Sequence, residues 1–525
     1  MHHAVSSLLL IQRGPYAPIV VPNVPLADFV LRRPRALGSK PALVEAHGGR
    51  TFTHSALVEA IERAASGLVR VGLQKGDVVA LMSPNSIDCP IVFHAVVRAG
   101  GILTPIPPLA TVDDAMKQLA DSRARFLVTT DELGTKLSTV ARACGVEDIF
   151  TLGLSPDFRP FSSLLADAGT ARLPTIDAQV DVAALPYSSG TTGLSKGVML
   201  THANLVANVL QVDVGHMRED DVLVCCLPLS HIYGITAIQN WALAIGATTV
   251  VMGRFDIAGL VDVIERHGVT YAPLVPPILL ELAKNSRFES ADLSRVRVLF
   301  SGAAPLSAEL SRAVATRTGA DVVQGYGMTE ASPATHMTPP KPHENRLGSV
   351  GWPLASTAVR LVDTTSDRDV ARGSEGEIRV RGPQVMKGYL NNPEATRATV
   401  DDEGWLHTGD IGRVDVDGHL FVVDRVKELI KYKAWQVAPA ELEALLLTHP
   451  AIADAAVVGL RDEECGEVPK AFIVRKSEIS AEDIIAFVAE RVAPYKRVRV
   501  VEFVERIPKS PSGKILRRIL RDQAR

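Results

Sequence analysis

Residues 187–198 read Tyr-Ser-Ser-Gly-Thr-Thr-Gly-Leu-Ser-Lys-Gly-Val, a run of glycines and hydroxyl side chains that contains one lysine. The apolar residues 182–185 before this run predict a short buried strand. Residues 201–204 after it, Thr-His-Ala-Asn, predict the cap of a helix over residues 205–214. We therefore expect a loop that connects a buried strand to a helix.

The composition of this loop suits a polyphosphate. Its glycines let the backbone approach a ligand closely, and its backbone N–H groups, hydroxyls and lysine can donate to phosphate oxygens. The candidate phosphate contacts are Ser188, Ser189, Gly190, Thr191, Thr192 and Lys196. The common P-loop ends in Gly-Lys-Ser/Thr, whereas this run has Ser-Lys-Gly at residues 195–197. A flexible Ser/Gly linker is the alternative, although linkers do not usually lie between a strand and a helix.

Composition excludes several classes of protein. The chain has 525 residues, 46% of them hydrophobic, and a net charge of −3, which predicts a soluble globular protein of about three to four domain-sized units. The near-neutral charge gives no electrostatic case for nucleic acid, and no run reaches the roughly 18 apolar residues of a membrane span. The N-terminus lacks the features of a signal peptide. Five cysteines without a Cys-x-x-Cys pair favour reduced thiols in the cytoplasm and argue against a zinc site.

Strand-like and helix-like segments alternate up to about residue 345, which predicts an α/β fold of layered subdomains with largely parallel sheets. The predicted buried strands are residues 77–82, 126–129, 222–227, 248–252 and 296–300, and the predicted helices between them include residues 257–264 and 306–314.

The pattern changes in the last third of the chain. Residues 348–423 carry short alternating runs, such as 358–362 and 376–380, between Gly, Asp and Pro turns, which predicts a small β-barrel-like subdomain. The tail from residue 426 mixes two predicted helices, residues 439–447 and 481–492, with short strands. We expect this tail to form a separate α+β domain of about a hundred residues.

Four further motifs follow the glycine-rich run. They are Gln-Gly-Tyr-Gly-Met-Thr-Glu at residues 324–330, Gly-Trp-Leu-His-Thr-Gly-Asp at 404–410, Asp-Arg-Val-Lys-Glu at 424–428 and Pro-Ser-Gly-Lys at 511–514. In this order they resemble the motifs of the adenylate-forming superfamily, which includes acyl-CoA synthetases, adenylation domains and luciferases. The run over residues 427–439 is similar to that of 4-coumarate–CoA ligases. The resemblance covers nearly the whole chain.

The resemblance implies a domain organisation and a reaction. The fold would be a large N-terminal body, residues 1–424, with a mobile C-terminal lid, residues 425–525, and a hinge near residues 424–427. The activity would be that of an ATP-dependent carboxylate–CoA ligase that uses ATP, Mg²⁺ and CoA, with an aryl or hydroxycinnamic-type acid as substrate. The alternatives are a medium-chain fatty acyl-CoA synthetase, an enzyme that loads a carrier protein or stops at the adenylate, and a nucleotide-binding regulator without turnover.

The resemblance also assigns the nucleotide site. Gln324 and Gly325 would border the adenine and Tyr326 would stack on it, while Asp410 and Arg425 would contact the ribose. The remaining assignments are Thr329 at the nucleotide, Glu330 and Thr191 at Mg²⁺, and Lys427 and Lys514 as catalytic lysines. Lys514 would contact both the carboxylate and the α-phosphate, where a fixed cation stabilises the charge that develops on phosphorus.

The acid and CoA sites follow from the same resemblance. The predicted acyl pocket comprises Tyr233, Ala237, Gly302, Ala303, Gly325, Pro333, Ala334 and Met337. The predicted CoA contacts are Arg254, Lys433, Ala434 and Trp435. Lys431 and Gln436 would be catalytic residues that turn inward with the lid for the second half-reaction, and His231 would be a catalytic residue that borders the acyl and thiol channels. A buried structural histidine is the alternative for His231. Two positions depart from the family, because relatives commonly have glycine at Ala434 and often have proline at Ser195.

Overall fold

The computed structural model describes residues 11–166, 171–189, 195–288, 291–433, 435–462, 465–510 and 513–523. The predicted site residues Gly190, Thr191, Thr192 and Ala434 lie outside these ranges. The described part of the chain contains two sheets of nine strands and two sheets of five strands.

The first nine-stranded sheet is parallel over most of its width and antiparallel at the edge that carries the glycine-rich run. Its strands, in spatial order, are Tyr187–Ser189, Ser195–Thr201, Val182–Ala184, Ile102–Ile106, Val78–Met82, Phe126–Thr129, Asp148–Thr151 and Arg159–Pro160, and Gly388–Tyr389 also pairs with Ser195–Thr201.

The second nine-stranded sheet has a parallel centre and antiparallel edges. Its strands, in spatial order, are Trp352–Pro353, Ala334–Met337, Asp321–Gly327, Val298–Ser301, Tyr271–Leu274, Val222–Cys225, Thr248–Val251, Pro41–Glu45 and Thr51–Thr53. The prediction of a layered α/β body with largely parallel sheets is therefore confirmed.

The two five-stranded sheets are the predicted small β subdomain and the sheet of the tail. The antiparallel sheet consists of Gln12–Arg13, Ala358–Val362, Glu375–Arg381, Leu406–Val414 and Leu420–Arg425. The tail sheet consists of Trp435–Val437, Ile430–Tyr432, Gly466–Arg475 and Ile452–Asp462, with Val500–Phe503 parallel to Gly466–Arg475. The strand Gln12–Arg13 shows that the N-terminal end of the described chain completes the edge of the antiparallel sheet.

Helices cover the sheets and connect their strands. The α-helices are Leu26–Val30, Pro34–Leu37, His54–Arg70, Cys89–Arg98, Val112–Ser122, Asp131–Ala143, Ser163–Ala166, His202–Val212, Trp241–Ile245, Ile257–His267, Pro276–Lys284, Ala308–Thr318, Pro393–Thr399, Pro439–Leu447, Ala481–Ala489 and Arg517–Gln523. Short 3₁₀ helices span Ser286–Phe288, Thr329–Ala331, Pro342–Glu344 and Pro494–Lys496, and a π-helix spans Tyr233–Asn240. Within the described ranges, none of these helices combines the length and apolar character needed to cross a membrane.

The glycine-rich run differs from the expected connection between a strand and a helix. The described ends of this run, Tyr187–Ser189 and Ser195–Thr201, pair as the two arms of a β-hairpin before the helix begins at His202. Gly197 lets the second arm lie close to Tyr187, since a Cβ there would lie only 3.0 Å from Cζ of that ring. The helix cap was predicted correctly: the hydroxyl of Thr201 accepts a hydrogen bond from the backbone N–H of Asn204 at 3.1 Å.

Candidate active site

The hairpin and a buried carboxylate form the first part of the site. Ser188 and Lys196 lie opposite each other on the two arms of the hairpin, and Ser189 ends the first arm. The Ser188 hydroxyl donates to Oε1 of Glu330 at 2.9 Å. Glu330 is buried in the short helix Thr329–Ala331. The predicted phosphate loop and the predicted metal ligand are therefore in direct contact.

The surroundings of Glu330 fit a metal ion that arrives with a nucleotide. Among the described residues, no group of three or more His, Cys, Asp or Glu side chains could hold a metal by itself. Magnesium is commonly bound by one or two carboxylates together with substrate phosphates. A single carboxylate beside a phosphate loop is therefore a suitable protein contribution.

Asp410, Arg425 and Tyr326 form a second polar group. Asp410 and Arg425 are paired residues on neighbouring antiparallel strands. Nε of Arg425 lies 3.1 Å from Oδ1 of Asp410, and the Tyr326 hydroxyl donates to Oδ2 at 2.7 Å. Burial raises the pKa of Asp410, although the charge of Arg425 and the hydroxyl of Tyr326 act in the opposite direction. Because each carboxylate oxygen can accept more than one hydrogen bond, Asp410 can still accept from a ribose diol.

Gln324 and Gly325, which are predicted to border the adenine, lie in the second half of the strand Asp321–Gly327. The backbone N–H of Gln324 donates to the hydroxyl of Thr338, and the N–H of Thr338 donates to the carbonyl of Gln324, both at 2.9 Å. A Cβ at Gly325 would lie 2.8 Å from Cζ of Phe300. The strand can therefore lie against this ring only because residue 325 has no side chain.

Lys514, from the C-terminal tail, lies within electrostatic range of Asp410, Arg425 and His231, and the space among these residues is called the cleft below. Its loop packs on the body, since a Cβ at Gly513 would lie 2.9 Å from Cγ of Pro277. Burial and the positive charge of Arg425 lower the pKa of Lys514 to about 8, and the negative charges of Glu428 and Asp410 only partly oppose this. The structure therefore places Lys514 within electrostatic range of Arg425 and Asp410.

His231 lies within electrostatic range of Lys514. Burial, with a smaller contribution from the charge of Lys514, lowers the pKa of His231 to about 4. Its Nδ1 accepts a hydrogen bond from the backbone N–H of Tyr233 at 3.2 Å, so the neutral ring carries its proton on Nε2. His231 is thus an uncharged hydrogen-bond donor near neutral pH.

Tyr233 is the most constrained residue of the predicted acyl pocket. It begins the π-helix Tyr233–Asn240, which also carries the buried Ala237. Its hydroxyl donates to the carbonyl of Phe300 at 3.1 Å and lies 3.5 Å from the carbonyl of Leu274. The backbone carbonyls thus bind the hydroxyl of Tyr233, which fixes the position of its ring in the predicted acyl pocket.

Small residues lie around this ring. A Cβ at Gly302 would lie 3.1 Å from Cε1 of Tyr233, and the neighbouring Ala303 is exposed with φ of 69°. Ala334 and Met337 are buried on one strand, and Pro333 immediately before them is half-buried. The strand with Gly325 pairs with the strand Ala334–Met337, so both sets of predicted residues meet.

The structure does not bring the predicted thioester-forming face to this cleft. Lys427, Lys431, Lys433 and Trp435 are exposed, and the Trp435 ring stacks on Tyr495 of the same domain, with 4.7 Å between ring centroids. The backbone of Gln436 pairs with that of Lys431 in the hairpin of the tail. Arg254 is exposed in the turn before the helix Ile257–His267.

Two residues that the sequence did not single out complete the site. The Tyr389 hydroxyl donates to Oε1 of Glu330 at 2.8 Å, although 59 positions separate these residues in the chain. The Phe300 ring lies edge-on against Tyr233, with 5.8 Å between centroids. Phe300 ends a predicted buried strand, and positions at the carboxyl ends of parallel strands often face ligands, so this position carried a usable signal. Tyr389 had no comparable local signal.

Comparison with known proteins agrees with this geometry. The model of the AMP-binding enzyme family matches residues 31–390, and that of the AMP-binding enzyme C-terminal domain matches residues 441–514. The chain is 44% identical over 519 residues to 4-coumarate-CoA ligase 1 from Narcissus pseudonarcissus, and the matched region covers 96% of this chain and 94% of that protein. It is 45% identical over 517 residues to 4-coumarate–CoA ligase 5 from Oryza sativa subsp. japonica, with coverage of 96% and 95%. The solved structure of the anthranilate CoA ligase AuaEII in complex with anthranoyl-AMP has a TM-score of 0.88 at 28% identity and covers 97% of this chain and 98% of that one.

Proposed function

This chain belongs to the AMP-binding enzyme family, and from that premise we propose that it is an AMP-forming acid–CoA ligase for a hydroxycinnamic-type acid. The observation that carries the proposal is the identity of 44–45% over nearly the whole chain to proteins named 4-coumarate–CoA ligase. The cleft that gathers Glu330, Asp410, His231 and Lys514 supports it independently.

The first half-reaction joins the acid to AMP. A carboxylate oxygen of the acid attacks the α-phosphorus of ATP, and the bond from that phosphorus to the bridging oxygen breaks as pyrophosphate leaves. Lys514 stabilises the negative charge on the two reacting anions. His231 donates from Nε2 to an acyl oxygen, while Ser188 and Lys196 hold the phosphates with the Gly190, Thr191 and Thr192 segment.

Magnesium enters with ATP. Glu330, with Thr191, would hold it, and when bound it neutralises charge on the phosphates and assists the departure of pyrophosphate. The chain's own residues fix the rest of the nucleotide: Asp410 and Arg425 bind the ribose, and Tyr326 stacks on the adenine beside Gln324 and Gly325.

The second half-reaction transfers the acyl group to CoA. The thiolate form of CoA attacks the carbonyl carbon of the adenylate, the bond from that carbon to the phosphate oxygen breaks, and AMP leaves with the bonding electron pair. The body, residues 1–424, stays in place, and the lid, residues 425–525, turns about a hinge near residues 424–427. This rotation would remove Lys514 and bring in the hairpin that carries Lys431, Lys433, Trp435 and Gln436, while Arg254 meets the CoA phosphates.

The acyl pocket favours a planar aromatic acid. The rings of Tyr233 and Phe300 lie against Gly302 and Gly325, so this part of the predicted pocket is walled by aromatic rings. Hydroxycinnamic acids, which belong to phenylpropanoid metabolism, are flat, and a flat ring packs well against aromatic side chains. All five cysteines are free, which agrees with a cytoplasmic enzyme.

Two assays on one acid panel test the function. Pyrophosphate exchange into ATP should depend on an added aryl acid, and AMP release should require CoA as well. Exchange that responds best to medium-chain fatty acids would favour the fatty acyl-CoA synthetase. Exchange without consumption of CoA would favour an enzyme that loads a carrier protein or stops at the adenylate. ATP binding without exchange for any acid would favour the regulator.

A further inference from the structure

Tyr389 lies between the phosphate hairpin and the segment that carries Glu330. It is buried on the short strand Gly388–Tyr389, and its Cα partner across the sheet is Val198 in the second arm of the hairpin. Its backbone N–H donates to the hydroxyl of Thr396 at 2.9 Å. The backbone on both sides of Tyr389 is also tied down. The N–H of Leu390 donates to the carbonyl of Gly197, and the N–H of Met386 donates to the carbonyl of Glu330, both at 2.8 Å.

The side chain of Tyr389 contacts two groups that face the phosphates in the proposed function. Its hydroxyl donates to Oε1 of Glu330 at 2.8 Å. Its ring lies beneath Lys196, whose Nζ is 4.9 Å from the ring centroid, within the range of a cation–π contact. One tyrosine thus connects the carboxylate on one element to the cation on another.

The hydrogen bonds at Glu330 are distributed unequally. Oε1 accepts from both the Tyr389 hydroxyl and the Ser188 hydroxyl. In the part of the chain that the structure describes, no hydrogen bond reaches Oε2. Two donors on one oxygen fix the rotation of the carboxylate, and the other oxygen keeps its lone pairs. This arrangement suits a carboxylate that binds a metal through one oxygen while hydrogen bonds to the other oxygen orient it.

We propose that Tyr389 is a positioning residue, whose hydroxyl orients Glu330 toward the metal of the metal–ATP complex and whose ring holds Lys196 beside the same phosphates. This inference rests on the proposed function. Partners of this kind orient a metal ligand without touching the metal, and their removal typically lowers metal affinity about 10- to 100-fold.

Two substitutions separate the two contacts. Tyr389→Phe removes the hydroxyl and keeps the ring, whereas Tyr389→Leu removes both. Tyr389→Phe should weaken binding of Mn²⁺ to the enzyme–ATP complex about 10- to 100-fold and leave binding of metal-free ATP unchanged. Tyr389→Leu should also weaken binding of metal-free ATP, because Lys196 loses its support. Electron paramagnetic resonance of Mn²⁺ and calorimetry of ATP in excess chelator measure these affinities without any acid.

Matched variants provide the controls. Tyr187→Phe removes a hydroxyl from the same hairpin. It serves as a control because this hydroxyl donates to Asp121 at 2.6 Å and does not contact Glu330. It should leave the Mn²⁺ affinity unchanged. Ser188→Ala should lower the Mn²⁺ affinity as Tyr389→Phe does, and because Ser188 also holds the phosphates in the proposed function, it should weaken binding of metal-free ATP as well. The loss of Mn²⁺ affinity in the double variant should be less than the sum of the two single losses, since both hydroxyls hold the same oxygen. Thioester formation from presynthesised acyl-adenylate should be unaffected in Tyr389→Phe.

The outcomes distinguish this inference from the proposed function. Wild-type affinity for Mn²⁺ in Tyr389→Phe would overturn the role of the hydroxyl. Equal losses for Mn²⁺, metal-free ATP and thioester formation in that variant would reduce Tyr389 to a structural residue and would also overturn the inference. Absence of acid-dependent pyrophosphate exchange in the wild-type enzyme would instead refute the proposed function.

Discussion

Replacing Lys514 by alanine should abolish one half-reaction and largely spare the other. Lys514 is held in the cleft by the contact of Gly513 with Pro277, and it lies within electrostatic reach of Arg425 and Asp410. A group that enters the cleft from the lid acts only while the lid is in that position. Adenylate formation should therefore be slowed by the loss of the cation, whereas acyl transfer from presynthesised adenylate to CoA should keep most of its rate.

The expected loss follows from the charge that Lys514 supplies. Removing one preorganised donor from a charged transition state costs about 2.7–4 kcal/mol, or roughly 10²- to 10³-fold in rate. The pH dependence of adenylation gives a more specific test, because burial and the charge of Arg425 lower the pKa of Lys514 to about 8. A lysine is charged below its pKa, so the charged fraction should fall about tenfold between pH 7 and pH 9. Adenylation measured as kcat/KM, which reports the free enzyme, should decline as the pH rises through about 8.

Pyrophosphate exchange and single-turnover acyl transfer, each measured from pH 6.5 to 9.5, test this prediction. Wild-type exchange should show the alkaline decline, and Lys514→Ala should show low activity without it. Lys514→Arg serves as a control, because its guanidinium stays charged and any remaining activity should be independent of pH in this range. Equal loss of both half-reactions in Lys514→Ala, or an alkaline decline that persists in it, would refute the assignment.

Two further predictions concern the acyl pocket. Gly302→Ala places a Cβ 3.1 Å from the Tyr233 ring, which is held through its hydroxyl. The substitution should therefore lower kcat/KM for aromatic acids by the equivalent of about 1–3 kcal/mol, with a smaller effect on short aliphatic acids in the same panel. Uniform loss over all acids would indicate a folding defect. Ala303→Gly should raise the free energy of unfolding in urea by up to about 1 kcal/mol, because Ala303 has φ of 69°, which costs an L-residue about 1–2 kcal/mol. Ala313→Gly, on the exposed face of the helix Ala308–Thr318, should lower it by about 0.5–1 kcal/mol, and the same sign for both variants would contradict the strain argument.

Much of the fold could be predicted from the sequence, because local patterns specify it. The strands Phe126–Thr129 and Ala358–Val362 and the helix Pro439–Leu447 agree residue for residue with the predictions. Element ends were less accurate. The helix predicted over residues 306–314 begins at Ala308, because the Ser307 hydroxyl accepts from the N–H of Leu310 and caps it, and it continues to Thr318.

The features that sequence missed depend on distant or irregular contacts. The hairpin arm Ser195–Thr201 is polar at its start, and one of its partners is Gly388–Tyr389, far away in the chain. The strand Gln12–Arg13 was also missed, because it forms by pairing with Ala358–Val362, which is distant in the chain. The π-helix Tyr233–Asn240 has a hydrogen-bond period that differs from the helical pattern on which the sequence prediction relied.

The motifs predict which residues form the candidate site, but they do not predict how those residues contact one another. Asp410 and Arg425 stand in separate motifs, and only the strand register makes them a pair. The contact of the Tyr326 hydroxyl with Asp410 likewise requires the folded chain. Tyr389 illustrates the limit of the method, because its role depends on a hydrogen bond to Glu330 and on a cation above its ring.

The distribution of ion pairs around the proposed hinge suits a lid that turns as one body. Arg517 pairs with both Glu428 and Glu443, and all three residues lie after the hinge, so these pairs would travel with the lid. Arg425, in the proposed hinge, pairs with Asp410, and both residues bind the ribose in the proposed function, so nucleotide binding would act on the hinge directly. Lys514 faces the body while Trp435 faces solvent, and a rigid lid cannot present both to the same cleft at once. In the proposed function the two half-reactions would therefore need two positions of the lid, and the position in which Lys514 lies near Asp410 would be the one that serves adenylation.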